Sequence, residues 1–185
     1  MRKLSLVFVS ICAGCASGND LMPMKVGETL SYDVHSRVQQ QISKVTISRE
    51  SGVAGARGYV LSGPMGESRL AWKGDLLLLE RTGNCRFEPP LPMLVSTAQD
   101  VRKVWSGTMG GMWGTESATA QLDQAMVEEQ IGGRKIRVAK SFLEVAGERH
   151  KVRLQTLFQP GVGIASQKEW VDGELVANLE RLSSR

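Results

Sequence analysis

The sequence predicts an all-β fold: one large curved antiparallel meander, shaped as a half-barrel, an open barrel or two packed sheets, with little helix. Three observations carry this reading. Short runs alternate apolar and polar residues with period two, as half-buried strands do. Twenty glycines punctuate those runs at the spacing expected of turns. Long apolar stripes of period 3.6 are absent. Alternation with a polar outer face argues antiparallel pairing. A sheet of about ten strands rarely stays flat and open, so it is expected to curl or close.

The elements follow in order. "GETLSYDVHSR" comes after Pro23 and Gly27 and sets Leu30, Tyr32 and Val34 on one face. "QISKVTISRE" sets Val45 and Ile47 against Lys44, Thr46 and Ser48. "ARGYVLSG" and "SRLAWKG" are short and bounded by glycine. "DLLLLERTG" holds four consecutive leucines and is expected to be covered on both faces. "FEPPLPMLVSTAQD", Phe87 to Asp100, contains Pro89, Pro90 and Pro92. Proline donates nothing to a ladder, so this stretch is expected as a crossover or lid, with one helical turn near Ser96 to Asp100. "RKVWSGTM" and "SATAQLDQAMVEEQIGG" resume the strands. In "RKIRVAKSFLEVAG", Ile136 and Val138 are out of phase with Leu143 and Val145, which predicts a bulge near Lys140 or Ser141. "RHKVRLQTLFQ" alternates cleanly, with Val152, Leu154, Thr156 and Phe158 on one face.

Pro160-Gly161-Val162-Gly163 reads as a rigid corner between two strands. Proline fixes φ there, and Gly161 and Gly163 tolerate positive φ. A phosphate-binding loop would need a helix after it, and the strand-like "IASQKEWV" follows instead. The chain ends in a hairpin whose turn is Asp172-Gly173, a strong two-residue signal.

The first residues have a different character. In "MRKLSLVFVSICAG", basic Arg2 and Lys3 precede an apolar run that ends in small residues, the layout of a secretory signal. The run is shorter than the roughly 20 residues a spanning helix needs. Cys12-Ala13-Gly14-Cys15 then resembles the bacterial lipobox, Leu-Ala-Gly-Cys. The resemblance implies lipidation of Cys15 and cleavage before it. A redox or metal pair would instead need a folded site around both thiols. The expected organisation is a signal peptide over 1–14, an acylated cysteine with a flexible tether ("ASGND") over 15–20, and one β-domain over 21–185. Cys85 is then the remaining thiol, and no internal disulfide is expected.

Ala16 follows the cysteine, where enteric bacteria place aspartate to retain a lipoprotein at the inner membrane. By analogy the expected location is the outer membrane facing the periplasm, or the outer face of the cell membrane in a single-membrane cell. Attachment through the N-terminal lipid makes the membrane the first partner, with two or more acyl chains needed for stable anchoring. The net charge of +4 falls to about +2 without the signal. No basic stripe with interleaved aromatics is present, so no nucleic-acid partner is expected.

Over the mature chain, "LMPMKVGETLSYDV", "PPLPM" before "KVWSG", and "FQPGVGIASQKEWVDGELVANLERL" resemble a group of bacterial exported lipoproteins sometimes called TapB-like. The resemblance is sharpest at the Pro-Gly-Val-Gly turn. It implies a curved antiparallel β-domain and carries over no catalytic residues.

The inventory for chemistry is thin. His35 and His150 lie in different strands without a third ligand at metal spacing, so no metal is expected. No serine sits in a nucleophile elbow. Glu128 and Glu129 are strand neighbours and point to opposite faces. No cofactor and no catalytic residue is expected. "WSGTMGGMWG", Trp105 to Gly114, mixes tryptophan, methionine and glycine, and supports two readings. Either these side chains fill the core, or Trp72, Trp105, Met109, Met112 and Trp113 form an adaptable apolar binding surface. The functional expectation is a lipid-anchored binding module for an apolar ligand or an envelope protein. A structural lipoprotein is the rival, and an enzyme built on His35 or His150 with carboxylates is third.

Overall fold

The structure is a computed structural model that describes residues 20–36, 40–63, 66–96, 100–131 and 133–182. The expected signal peptide, Cys15 and most of the expected helical turn after Ser96 lie outside the described residues. Twelve strands run β1 Thr29–Ser36, β2 Gln40–Val53, β3 Ala56–Gly63, β4 Gly66–Lys73, β5 Leu76–Thr82 and β6 Cys85–Val95 in the first half. The second half is β7 Asp100–Gly111, β8 Gly114–Ile131, β9 Arg134–Gly147, β10 Lys151–Gln159, β11 Gly163–Val171 and β12 Glu174–Arg181. Each strand pairs antiparallel with its sequence neighbour, and β1 closes on β12 from Tyr32↔Arg181 to Ser36↔Ala177. The curved antiparallel meander is as expected, but it closes fully into a twelve-stranded barrel rather than stopping at a half-barrel, an open barrel or two packed sheets, which leaves it without terminal edges.

Alternation decides what fills it. Leu30, Tyr32 and Val34 of β1 point inward, as do Val152, Leu154, Thr156 and Phe158 of β10. The leucines of β5 are covered on both faces: Leu77 and Leu79 join the interior, while Leu78 packs with Val53 and Ala71 outside it. Fully burying each such side chain contributes roughly 1.5–3 kcal/mol. The pairing of β9 with both neighbours is unbroken, so the bulge expected near Lys140 is absent. Ile136 and Val138 simply lie on the face opposite Leu143 and Val145. They belong to a two-stranded ribbon, because β8 beyond Ala125 has no β7 partner and β9 before Ala139 has no β10 partner.

The proline-rich stretch corrects the expectation most. Phe87 to Val95 is strand, not crossover or lid. It pairs with β7 only at Arg86, Phe87 and Glu88, and the three prolines follow that point. From there β6 is an edge on its β7 side, which is where proline is tolerated. It keeps its ladder to β5 and leans across the barrel interior toward β8 and β9. Side chains replace the lost strand partner. The Gln124 amide donates to the Val95 carbonyl and accepts from the Val95 N–H, both at 2.7 Å. Ser141 donates to the Met93 carbonyl at 2.7 Å, and the Trp105 indole to the Pro89 carbonyl at 3.0 Å.

The two ends of the barrel differ. At the end where β1 begins, Leu21 and Met22 are buried and plug the interior. The Asp20 carbonyl there accepts from the Gly161 N–H at 2.6 Å, inside the corner that Pro160 to Gly163 forms between β10 and β11. Gly163 (φ 88°) lies against Met22, whose sulfur would be 3.0 Å from a Cβ at that position.

At the opposite end Asp172 (φ 51°) and Gly173 (φ 86°) make the tight β11–β12 turn. Asp172 also staples this turn to the β9–β10 turn: it accepts from the Lys151 N–H at 2.8 Å and pairs with His150 Nδ1 at 3.0 Å. Asp172→Ala is expected to lower Tm by roughly 2–4 °C, the equivalent of about one net hydrogen bond. The His150 hydrogen bond, then that from Lys151, holds the Asp172 carboxyl below the ordinary value of 3.8. Its contribution is therefore present above that value and lost as pH falls through the lowered one. Thermal melts of both proteins should diverge at neutral pH and converge in acid.

Candidate functional site

The crossing of β6 divides the interior. On the side of β7 to β9, Phe87, Trp105 and Met109 pack solidly, with the Phe87 and Trp105 rings edge-to-face at 6.3 Å. On the side of β1 to β5, β11 and β12, a cavity of about 80 Å³ remains. A single water needs roughly 10–15 Å³ and a benzene-sized guest roughly 150 Å³. The space therefore suits a slim chain rather than a ring system. Its rim includes Gly63, Gly66 and Gly83, which lie at the end away from the Leu21–Met22 plug.

The walls are apolar, built from Val34, Leu61, Leu79, Met93, Ile164 and Leu179. Met93 comes from the crossing strand, so β6 is one wall of the cavity. Tyr32 stands inside, and its hydroxyl donates to the Ile164 carbonyl at 3.0 Å. Burial pushes that phenol up to about 12. Four polar side chains interrupt the apolar lining: Ser68, Thr82, Gln167 and Glu169.

A bulge in β11 places the last two. Leu157 pairs with Ser166 and Phe158 with Ile164, so Ala165 is an extra residue. The inward phase shifts there from Ile164 to Gln167 and Glu169. Glu169 consequently sits between inward-facing Leu154 on β10 and Ala177 on β12, both buried. Desolvation lifts its carboxyl above the ordinary glutamate range. The nearby Cys85 thiol is pushed up to about 11, first by burial and then by the charge on Glu169, so it is protonated at neutral pH.

The five aromatic and methionine residues considered as a binding surface do not meet in the structure. Trp105 and Met109 are in the solid half of the core. Trp72 is half-buried at the plugged end and donates to the Met22 carbonyl at 3.2 Å. Trp113 and Met112 form the β7–β8 turn at the far end, where the Trp113 ring lies 4.7 Å from that of His150 and Met112 is 85% exposed. None of the five lines the cavity. Near Trp113 a buried carboxylate, Glu116, accepts from the Arg149 N–H at 2.9 Å and sits 3.5 Å from the Arg149 guanidinium. Glu128 and Glu129 project to opposite faces of the β8–β9 ribbon, the latter 3.7 Å from Lys140. Among the described residues no three His, Cys, Asp or Glu side chains converge as a metal site.

No family model matches the sequence, and no curated protein does. Solved structures resemble it. A candidate lipoprotein from Parabacteroides distasonis ATCC 8503 aligns with a TM-score of 0.51 and 10% identity, over 87% of this chain and 96% of that one. A candidate exported protein with a YmcC-like fold from Bacteroides fragilis NCTC 9343 gives 0.44 and 8%, over 86% and 95%. The hypothetical lipoprotein YmcC from Escherichia coli (K12) gives 0.46 and 11%, over 86% and 89%. At 10% identity, the likeness to the Parabacteroides distasonis protein is one of fold.

Proposed function

We propose that the chain is a lipid-anchored envelope protein that binds a small, mostly apolar ligand inside the barrel, without a catalytic step. The observation that carries this is the cavity itself: a closed barrel could fill its interior completely, yet this one leaves space on one side of β6 with a polar group at its edge. Pockets of this kind, apolar with a few placed polar groups, are the usual form of small-ligand sites. Anchoring rests on the lipobox resemblance at Cys15. Asp20 lies five positions after Cys15, a reach of at most about 18 Å. Asp20 is at the plugged end. The plug would then face the membrane and the glycine-rimmed mouth would face away, into the periplasm for an outer-membrane location.

The barrel closes entirely within residues 20–182, so a soluble form beginning at Ala16 carries the whole fold. Native mass spectrometry of that form, taken from a bacterial periplasm before and after organic extraction, is expected to show an extractable apolar molecule. A clean empty mass, together with no saturable binding of short aliphatic probes, would reject the binding reading. Replacing Cys15 by serine in the full chain is expected to abolish incorporation of labelled acyl chains and detach the protein from membranes; continued acyl labelling would reject the anchor.

One observation favours a second reading, a scaffold that contacts another envelope protein. Because β6 leaves it early, Asp100–Gly107 of β7 has no strand partner on that side among the described residues, and Val104 there is 82% exposed. An open edge is a template for strand addition.

A further inference from the structure

Resting on the reading of the cavity as a ligand site, we propose that Glu169 is its recognition group and selects slim aliphatic ligands that end in a cationic amine. The argument starts from what faces the carboxylate. Its cross-strand neighbours are Leu154 and Ala177, and the cavity lining it shares is mostly apolar, with only uncharged polar groups such as Ser68, Thr82 and Gln167. Among the described residues no N–H or O–H donates to it, and no lysine or arginine lies within 4 Å. Tyr32 on β1 and Cys85 on β6 are the titratable groups around it, and neither carries positive charge. Glu116 differs in having a cation beside it: its Oε2 accepts from the Arg149 N–H and lies 3.5 Å from the Arg149 guanidinium, although its Oε1 has no partner among the described residues. Glu169 is half-buried, and a carboxylate partly withdrawn from water without a cation beside it is disfavoured, whereas glutamine there would avoid that cost.

A cationic guest resolves the imbalance. An alkylammonium brings three N–H donors and one positive charge. Glu169 supplies the counter-charge, and the Gln167 carbonyl and Thr82 hydroxyl in the same lining can take remaining donors. The aliphatic tail then lies along Leu79, Met93 and Ile164. A ligand carboxylate would instead set two like charges in an apolar space, which disfavours fatty acids. The raised carboxyl of Glu169 agrees with this arrangement, because burial with no partner to oppose it is its whole cause.

The test is isothermal titration of the form beginning at Ala16, and of its Glu169→Gln variant, with n-hexylamine, 1-hexanol and hexanoate at pH 7. Hexylamine is expected to bind the parent at least tenfold more tightly than hexanol, with hexanoate weakest. Glu169→Gln should remove the amine preference, so that hexylamine and hexanol bind the variant with similar affinity. Equal binding of amine and alcohol, or a preference that survives Glu169→Gln, overturns the assignment while leaving the cavity as a ligand site. Binding of none of the three overturns both. A melt adds an independent readout. Glu169 favours its protonated form in the folded state, so its presence costs stability as pH rises above about 4.5 and through its raised value. Glu169→Gln should therefore gain Tm over the parent between pH 5 and pH 8. No such gain would mean that the carboxylate already has a partner, and the proposal fails.

Discussion

Gly107→Val is expected to destabilise the barrel by about 3 kcal/mol or more, lowering Tm by roughly 6–12 °C. A Cβ at Gly107 would lie 2.4 Å from the Glu88 carbonyl oxygen, 2.5 Å from the Trp105 ring and 2.8 Å from Pro89. Two of those three neighbours are backbone or a proline ring and cannot rotate away. The contact is the point where β6 parts from β7, just beyond the Glu88↔Thr108 pair. Gly107 is thus required by close approach rather than by its own backbone angle. Gly52→Ala in β2 is the control, since a Cβ there meets nothing within 4 Å. It should melt within about 2 °C of the parent, consistent with the small effect of surface substitutions. Thermal melts followed by circular dichroism would separate the two. A Gly107→Val protein that melts like the parent would mean that β6 does not hold its crossing position.

Much of the fold was legible because period-two alternation survives in most strands. The clean inward set of β10 and the Leu30, Tyr32, Val34 set of β1 follow directly from it. Closure was not legible, because the β1–β12 pairing joins residues about 145 apart and no local signal marks it. The prolines of β6 misled for a definable reason. They exclude a strand paired on both sides, but β6 after Glu88 is paired on one side only. Its other partners, Gln124 and Ser141, come from distant strands.

The cavity was harder still. Strict alternation from Ile164 would send Gln167 and Glu169 outward, and only the bulge at Ala165 turns them in. That bulge is visible in register, not in residue type. The tryptophans and methionines drew attention by composition, whereas Glu169, in the cavity lining, has a setting that no sequence window contains.

Gln124→Leu tests whether side chains truly stand in for a missing strand. Leucine has similar volume, so the change removes hydrogen bonds without opening a large cavity. It leaves both the N–H and the carbonyl of Val95 unpaired in the interior, where Gln124 and Val95 are each buried. An orphaned buried polar group costs about 1–3 kcal/mol, so the pair predicts a loss of about 2–6 kcal/mol. Ser141→Ala removes one bond, to the Met93 carbonyl, and should cost about 1–2 kcal/mol. The two sites brace the same few residues of β6, so their effects should not add in the double variant. Because Met93 forms part of the cavity wall, loosening β6 should also weaken hexanol binding without removing any group that could touch the ligand. Chemical denaturation of the two single variants and the double variant, each paired with a hexanol titration, measures both effects. A Gln124→Leu protein as stable as the parent would show that Val95 finds other partners and that β6 is not held from within.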